Sequence, residues 1–283
     1  MPPLSSSSPS SSDSFPSGSL SSDAHVAALR AAGCVFAEDE AELIRTAART
    51  PDEAAAMVER RASGLPLEHV VGWAEFHGLR ITVEPGVFVP RRRTEFLVEQ
   101  ALAAAPHARV VVDLCCGSGA VGAALAASLG QVELHAADID PVAVRCAGRN
   151  VADYAGHAYR GDLFEALPGR LRGRIDILAA NVPYVPTDEV PLLPAEAREH
   201  EPLTALDGGG DGLDVLRRVA AEAPHWLAPG GCLLVETSER QTPAAVEAFT
   251  RAGLAVRVAE DEERYAHVLV GTGTGAGAAT GVR

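Results

Sequence analysis

The chain has 283 residues, of which 47% are hydrophobic and 22% charged, and its formal net charge is −14. That length can bury one large domain and a small accessory one, and no run approaches the ~18 consecutive apolar residues of a membrane helix. The acidic balance, 24 Lys+Arg against 38 Asp+Glu, argues against gripping duplex DNA by its phosphates, although a local basic groove stays open.

The only dense basic cluster, Arg91-Arg92-Arg93, is too short for a duplex-binding stripe. Five cysteines (Cys34, Cys115, Cys116, Cys146, Cys232) are an odd number without zinc-ligand spacing, and the adjacent pair cannot readily bridge itself. They read as reduced thiols of a cytoplasmic protein.

Residues 1–22 are rich in Ser and Pro, lack the basic start and apolar run of a signal peptide, and offer little to bury. A disordered tail is expected there, and another over 272–283, in a glycine run that begins at Gly271. Residues 23–66 read as a small helical domain. Asp23 can cap a first helix that ends at Gly33, and a second runs through Leu43, Ile44, Ala47 and Ala48. The third has Thr50 as N-cap, Pro51 at its first position, Glu53 to complete a capping box and Gly64 to end it.

Residues 67–90 take on strand character through Val70-Val71, Trp73 to Phe76 and Leu79 to Val83, with Gly78 at the turn of a hairpin linker. A catalytic domain over 91–271 opens with a helix from about Thr94 to Ala105. Beyond it, apolar strands (Val110 to Leu114, Val132 to Asp138, His157 to Tyr159, Ile175 to Ala180, Cys232 to Glu236) alternate with helices. That alternation predicts a doubly wound, parallel α/β sheet.

The chemistry-bearing motifs fall at the ends of these strands. Asp113-Leu-Cys-Cys-Gly117-Ser-Gly119 follows the first, where glycines let the backbone approach a ligand. Gly122 completes the spacing of a dinucleotide fingerprint, so this turn alone does not reject one. Asp138 ends the second strand and can accept both hydroxyls of a ribose, whereas Asp140 before Pro141 reads as a helix cap. Asp162 and Leu163 end the third, where they can meet the edge and face of an adenine.

Asn181-Val182-Pro183-Tyr184 ends the fourth. The Asn181 side-chain oxygen and the Val182 carbonyl can each accept an N–H of one planar amide or amine. Pro183 stiffens the turn and Tyr184 offers an apolar face. The acidic, glycine-containing segment from Glu201-Pro202 to Gly212 suits a lid near the site. His200 and His225 are lone histidines and read as structural.

Together these residues resemble the protein N5-glutamine methyltransferases that modify peptide chain release factors, the HemK family. The likeness covers about residues 65–270: Pro66 to Gly72, Glu75 to Gly78, Val87 to Arg91, Thr94-Glu95, the glycine turn, Asp138 to Pro141, the Asn-x-Pro-Tyr turn and the segment from Glu201 to Asp211-Gly-Leu. It implies a class I fold with a seven-stranded, mostly parallel sheet, a helical N-terminal domain for substrate recognition, and S-adenosylmethionine as methyl donor. The donor site it implies comprises Asp113, Cys115, Gly117, Gly119, Asp138, Ile139, Asp162, Leu163 and Asn181. The catalytic turn is Asn181, Val182, Pro183 and Tyr184, with Asn181, Val182, Tyr184, Glu201 and Pro202 on the substrate.

The implied partner is a release factor, met through the glutamine of its Gly-Gly-Gln motif. The enzyme is expected to act as a monomer, without membrane, metal or nucleic acid. Three features depart from the family pattern: Val182 in place of a proline, a short helical domain, and Arg264-Tyr265 in the last hairpin. An N6-adenine or other nucleic-acid amine methyltransferase is the alternative enzyme, since it would use a similar turn. A noncatalytic nucleoside-binding protein would keep the glycine turn without needing Asn181.

Overall fold

The structure, a computed structural model, describes residues 22–273. Residues 1–21 of the expected N-terminal tail and the end of the one expected after Gly271 lie outside those residues, and position 22 belongs to a helix. Packing divides the chain between Ser63 and Gly64.

The first unit holds α1 (Ser22–Ala31), α2 (Ala37–Ala47) and α3 (Pro51–Ala62). Leu29, Ile44, Met57 and Val58 form its buried apolar face, and Arg61 pairs with the nearly buried Glu40 at 2.7 Å. Asp23 lies inside the first turn of α1 rather than capping it. Thr50 does cap α3, its side chain accepting the Glu53 N–H at 3.1 Å. The return half of the capping box is shifted, because Glu53 accepts from the N–H of Arg49 at 2.7 Å rather than from Thr50.

The second unit begins with a short helix, α4 (Leu67–Val71), where strand character was expected. Gly72, in the left-handed conformation at φ 83°, closes this turn, and the buried His69 fixes it through Nε2 to the Val87 carbonyl at 2.9 Å. The hairpin β1 (Trp73–Phe76) and β2 (Leu79–Thr82) turns through His77 and Gly78, both at positive φ. It is no separate linker: Phe76, Ile81 and Val83 are buried in the main core.

A single turn (Arg92–Thr94) leads into α5 (Glu95–Ala104). There follow β3 (Val110–Leu114), α6 (Ala120–Leu129), β4 (Glu133–Asp138), α7 (Pro141–Ala152), β5 (His157–Arg160) and β6 (Ile175–Ala180). A short helix, α8 (Ala195–His200), follows, and the segment expected to be a loop, Glu201 to Gly212, carries a second, α9 (Leu203–Leu206). Then come α10 (Asp214–Glu222), β7 (Leu227–Thr237), α11 (Thr242–Arg251), β8 (Leu254–Asp261) and β9 (Ala266–Gly273).

Seven strands form one sheet in the order β5-β4-β3-β6-β7-β9-β8, with β9 antiparallel to both neighbours and the rest parallel. β3 is buried throughout because helices cover both faces. Its Val111 faces the core built with α5, α6 and α7, while Val110, Val112 and Leu114 face the core built with α10 and α11. The glycine run from Gly271 is strand up to Gly273, a correction with a packing reason: a Cβ on Gly271 would stand 2.6 Å from the Phe249 ring. No helix among the described residues is long and apolar enough to cross a membrane.

Candidate active site

A cavity of about 580 Å³ opens at the carboxyl ends of β3, β4 and β6. This is the edge of an open parallel sheet where ligands bind, and the volume suits a nucleoside-sized molecule plus part of a second one.

After β3 the backbone curls through three positive φ values, at Cys115, Gly117 and Gly119. Cys115, at 57°, occupies a region that costs a residue with a Cβ some strain. The curl is held by Cys116 N–H to Ala137 O at 3.1 Å and Gly119 N–H to Cys116 O at 2.7 Å. Cys115 and Gly117 line the cavity. Gly119 serves packing instead, since a Cβ there would stand 3.1 Å from Ala147 on α7.

Gly122 is likewise structural. Its N–H donates to Asp113 Oδ2 at 2.8 Å, and an added Cβ would press on that carboxyl oxygen at 3.2 Å. Burial pushes the Asp113 carboxyl up to about 8. Burial also pushes the Cys115 and Cys116 thiols upward, so neither supplies a thiolate nucleophile near neutral pH.

Asp138 ends β4 and joins the two motifs, accepting the Gly117 N–H at 2.9 Å and the Asp140 N–H at 2.9 Å. Burial raises its carboxyl above the usual range. Asp140 is the expected cap, its side chain accepting the Val142 N–H at 2.7 Å. Ile139 presents an exposed apolar side chain beside the cavity, which suits the face of a planar ring. Asp162 and Leu163 close this end. Asp162 is held by Arg218 at 2.7 Å, and Leu163 is buried with a φ of 48°.

Across the cavity, Asn181 Oδ1 is buried without a hydrogen-bond partner. Val182 is buried in the same core cluster as Leu114, Leu163 and Leu213, so it packs where a ring would otherwise stiffen the chain. The Tyr184 hydroxyl accepts from Arg93, which also donates Nε to Glu236 Oε1 at 2.9 Å. Glu236 is buried and takes the Thr94 hydroxyl at 2.7 Å on its other oxygen. Burial beside Glu236 pushes the Tyr184 phenol up to about 12.

The segment expected as a lid is a packed wall. Glu201 is buried, accepting the Val89 N–H at 3.2 Å and the Arg91 guanidinium at 2.6 Å. Burial nonetheless raises the Glu201 carboxyl, with Arg91 opposing. Pro202 lines the cavity beside it. Gly208 lies against the turn, where a Cβ would stand 2.7 Å from the Pro183 carbonyl.

Every residue read from sequence as a site candidate lines this cavity except Gly119. Phe88, Arg91, Arg93, Thr94 and Arg218 line it too, and composition and spacing gave no reason to choose them. The signal available for Phe88, Arg91 and Thr94 was the family-like segments Val87 to Arg91 and Thr94-Glu95.

Residues 78–193 match the family described as "Methyltransferase small domain". A release factor glutamine methyltransferase of Geobacter sulfurreducens is 41% identical over 208 residues, 72% of this chain and 72% of its own length. Its counterpart from Xylella fastidiosa (strain 9a5c) is 38% identical over 81% of this chain and 84% of its own. Among solved structures, a methyltransferase from Pyrococcus furiosus superposes with a TM-score of 0.50 at 16% identity, covering 69% of this chain and 89% of that one. The 16S rRNA N2 methyltransferase of T. thermophilus, in complex with AdoMet and guanosine, gives 0.51 at 22% identity, covering 71% and 49%. At such identities the two structures speak to the fold alone.

Proposed function

The chain belongs to the release factor glutamine methyltransferase family, and we propose that it methylates the side-chain nitrogen (N5) of a glutamine in a protein, the Gly-Gly-Gln glutamine of a release factor. The donor is S-adenosylmethionine, which supplies an electrophilic sulfonium methyl group when bound. The residues present fit it. Asp138 offers a carboxylate to a ribose, Ile139 and Leu163 offer apolar surface to an adenine, and the Cys115–Gly117 curl leaves room for close approach.

The observation that carries the reading is Asn181 Oδ1, a buried acceptor without a partner beside that same cavity. A buried acceptor left unpaired costs roughly 1–3 kcal/mol, and one N–H of a bound primary amide removes that cost. The Val182 carbonyl takes the second N–H, so the nitrogen's plane is fixed by two acceptors. An amide nitrogen is a poor nucleophile, and holding it in line with the methyl group supplies much of the catalysis. After transfer the nitrogen loses its proton to water, so no side chain need act as a strong base. Tyr184, steadied by Arg93, supplies the apolar wall.

The same proposal takes the helical first unit as a recognition module. It takes the enzyme as a cytoplasmic monomer whose partner is protein rather than nucleic acid. Single-turnover methylation of a Gly-Gly-Gln domain, with donor-product affinity titrated in parallel, tests the turn. Asn181→Ala should lose methyl transfer and keep the affinity; full transfer by that variant removes the turn from the mechanism.

A further inference from the structure

Gln241 ends the single turn Glu239–Gln241 after β7 and is buried. Its carboxamide Nε2 donates to the Tyr184 carbonyl at 2.8 Å and to the Asp211 carbonyl at 2.9 Å. Its Oε1 accepts the Ser238 hydroxyl at 2.7 Å, and its own N–H goes to Ser238 O at 3.0 Å. Two donors and an acceptor on one planar neutral group is what a carboxamide provides; a carboxylate has no donors, and an ammonium has no acceptor. Asparagine carries the same group one methylene shorter.

The two carbonyls belong to two segments that meet at the site. Tyr184 ends the Asn-x-Pro-Tyr turn, and Asp211 lies in the glycine loop behind it. The segments also pair directly, through Val185 N–H to Leu206 O at 2.9 Å, Gly208 N–H to Val185 O at 2.8 Å and Thr187 N–H to Gly209 O at 3.0 Å. Gly212 packs so closely that a Cβ would overlap both the Tyr184 oxygen and Gln241 Nε2. β6 holds the N-terminal end of the turn, and Pro183 fixes one dihedral within it. The C-terminal end is where Gln241 acts.

We propose that Gln241 is a positioning residue for methyl transfer. It anchors the Tyr184 carbonyl so that Asn181 Oδ1 and the Val182 carbonyl keep a fixed direction toward the reacting nitrogen. Gln241 does not itself line the cavity and touches neither donor nor substrate. The inference rests on the reading of the Asn181 turn given above.

Gln241→Met fills similar space without donors, and Gln241→Glu sets lone pairs against two carbonyls. Ser238→Ala loosens the carboxamide without altering it. Three quantities are read: kcat and KM for a Gly-Gly-Gln domain, affinity for S-adenosylhomocysteine, and hydrogen exchange over residues 184–188 and 207–212. A displaced turn should lower kcat roughly tenfold to a hundredfold in Gln241→Met and more in Gln241→Glu, with KM and affinity within about twofold. Ser238→Ala should fall between these variants and the wild type. Exchange should quicken in those two segments and not in β3 or β4.

Unchanged kcat in Gln241→Met, or a general rise in exchange with kcat and KM spoiled together, overturns the proposal. Should Gln241→Met fail to fold, Ser238→Ala decides: wild-type kcat there overturns it as well. Asn181→Ala separates the two levels. Activity lost there but intact in Gln241→Met sinks this inference alone, and activity intact in both sinks the reading of the turn with it.

Discussion

On the proposed reading Asn181 serves the substrate and Asp138 the donor, so their substitutions should separate. Asn181→Ala should cut the single-turnover rate by roughly a hundredfold or more, because alignment of the amide is lost. Asp138→Ala should instead weaken donor binding by roughly 1–3 kcal/mol, read by calorimetric titration. Tyr184→Phe deprives Arg93 of one acceptor but leaves it Glu236, so a loss of only a few-fold is expected, against a severe loss in Tyr184→Ala.

Asp113 gives a pH signature. Its carboxyl moves from the ordinary 3.8 to about 8 on folding, so between those values the folded state holds a proton that the unfolded state has released. Stability contributed at this site is therefore lost as pH rises from about 4 toward 8. Asp113→Asn should flatten that slope in urea midpoints measured across the range, and an unaltered slope would show that the carboxyl is charged in the fold. Sequence pattern singled out Asp113 and Asn181 because each ends an apolar strand. It gave no sign of Gln241 or Arg93, whose partners Tyr184, Asp211 and Glu236 lie far along the chain and meet them only after folding.

At the scale of elements, the stretch from Glu201 to Gly212 packs against the Asn-x-Pro-Tyr turn through buried Glu201, Leu206, Gly208 and Gly212 while Leu203 and Asp211 stand exposed, and its glycines differ sharply. Gly212 has a φ of 78° and no room for a methyl group, whereas Gly210 has open space around it and no positive φ. Gly212→Ala should lower both melting temperature and methyl transfer, and Gly210→Ala should change neither. Equal effects would refute the packing described. The expectation of a lid came from composition: acidic and glycine residues mark loops whether they move or pack. A carboxylate such as Glu201 becomes buried only because Val89 and Arg91 arrive from a distant segment. α4 was missed for a related reason. Val70 and Val71 favour strand locally, but Gly72 and the His69 bond to Val87 close a helical turn there. Caps were more legible, since Thr50 with Pro51 and Asp140 with Pro141 act within one turn of chain.

Over the whole molecule, the sheet order brings the ends of β3, β4 and β6 to one edge, although β6 lies far from β3 in sequence. That convergence was legible in outline, because alternating apolar strands and helices with right-handed crossovers leave few other arrangements. The antiparallel β9 and its hairpin partner β8 were legible only in part. Their turn is fastened by Arg264 to Asp261 and, at 2.8 Å on each of two bonds, to Glu99 of α5, which gives Arg264 a structural role while Tyr265 stands exposed. The central claim is that one cavity aligns a donor's methyl group with the side-chain nitrogen of a protein glutamine. It is tested most directly by fragment-ion mass spectrometry of a release factor incubated with S-adenosylmethionine and either the wild-type enzyme or Asn181→Ala. One added methyl group on the Gly-Gly-Gln glutamine with the wild type, and none with Asn181→Ala, is the expected result; a methyl group on any other residue, or an equal yield from both enzymes, would contradict it.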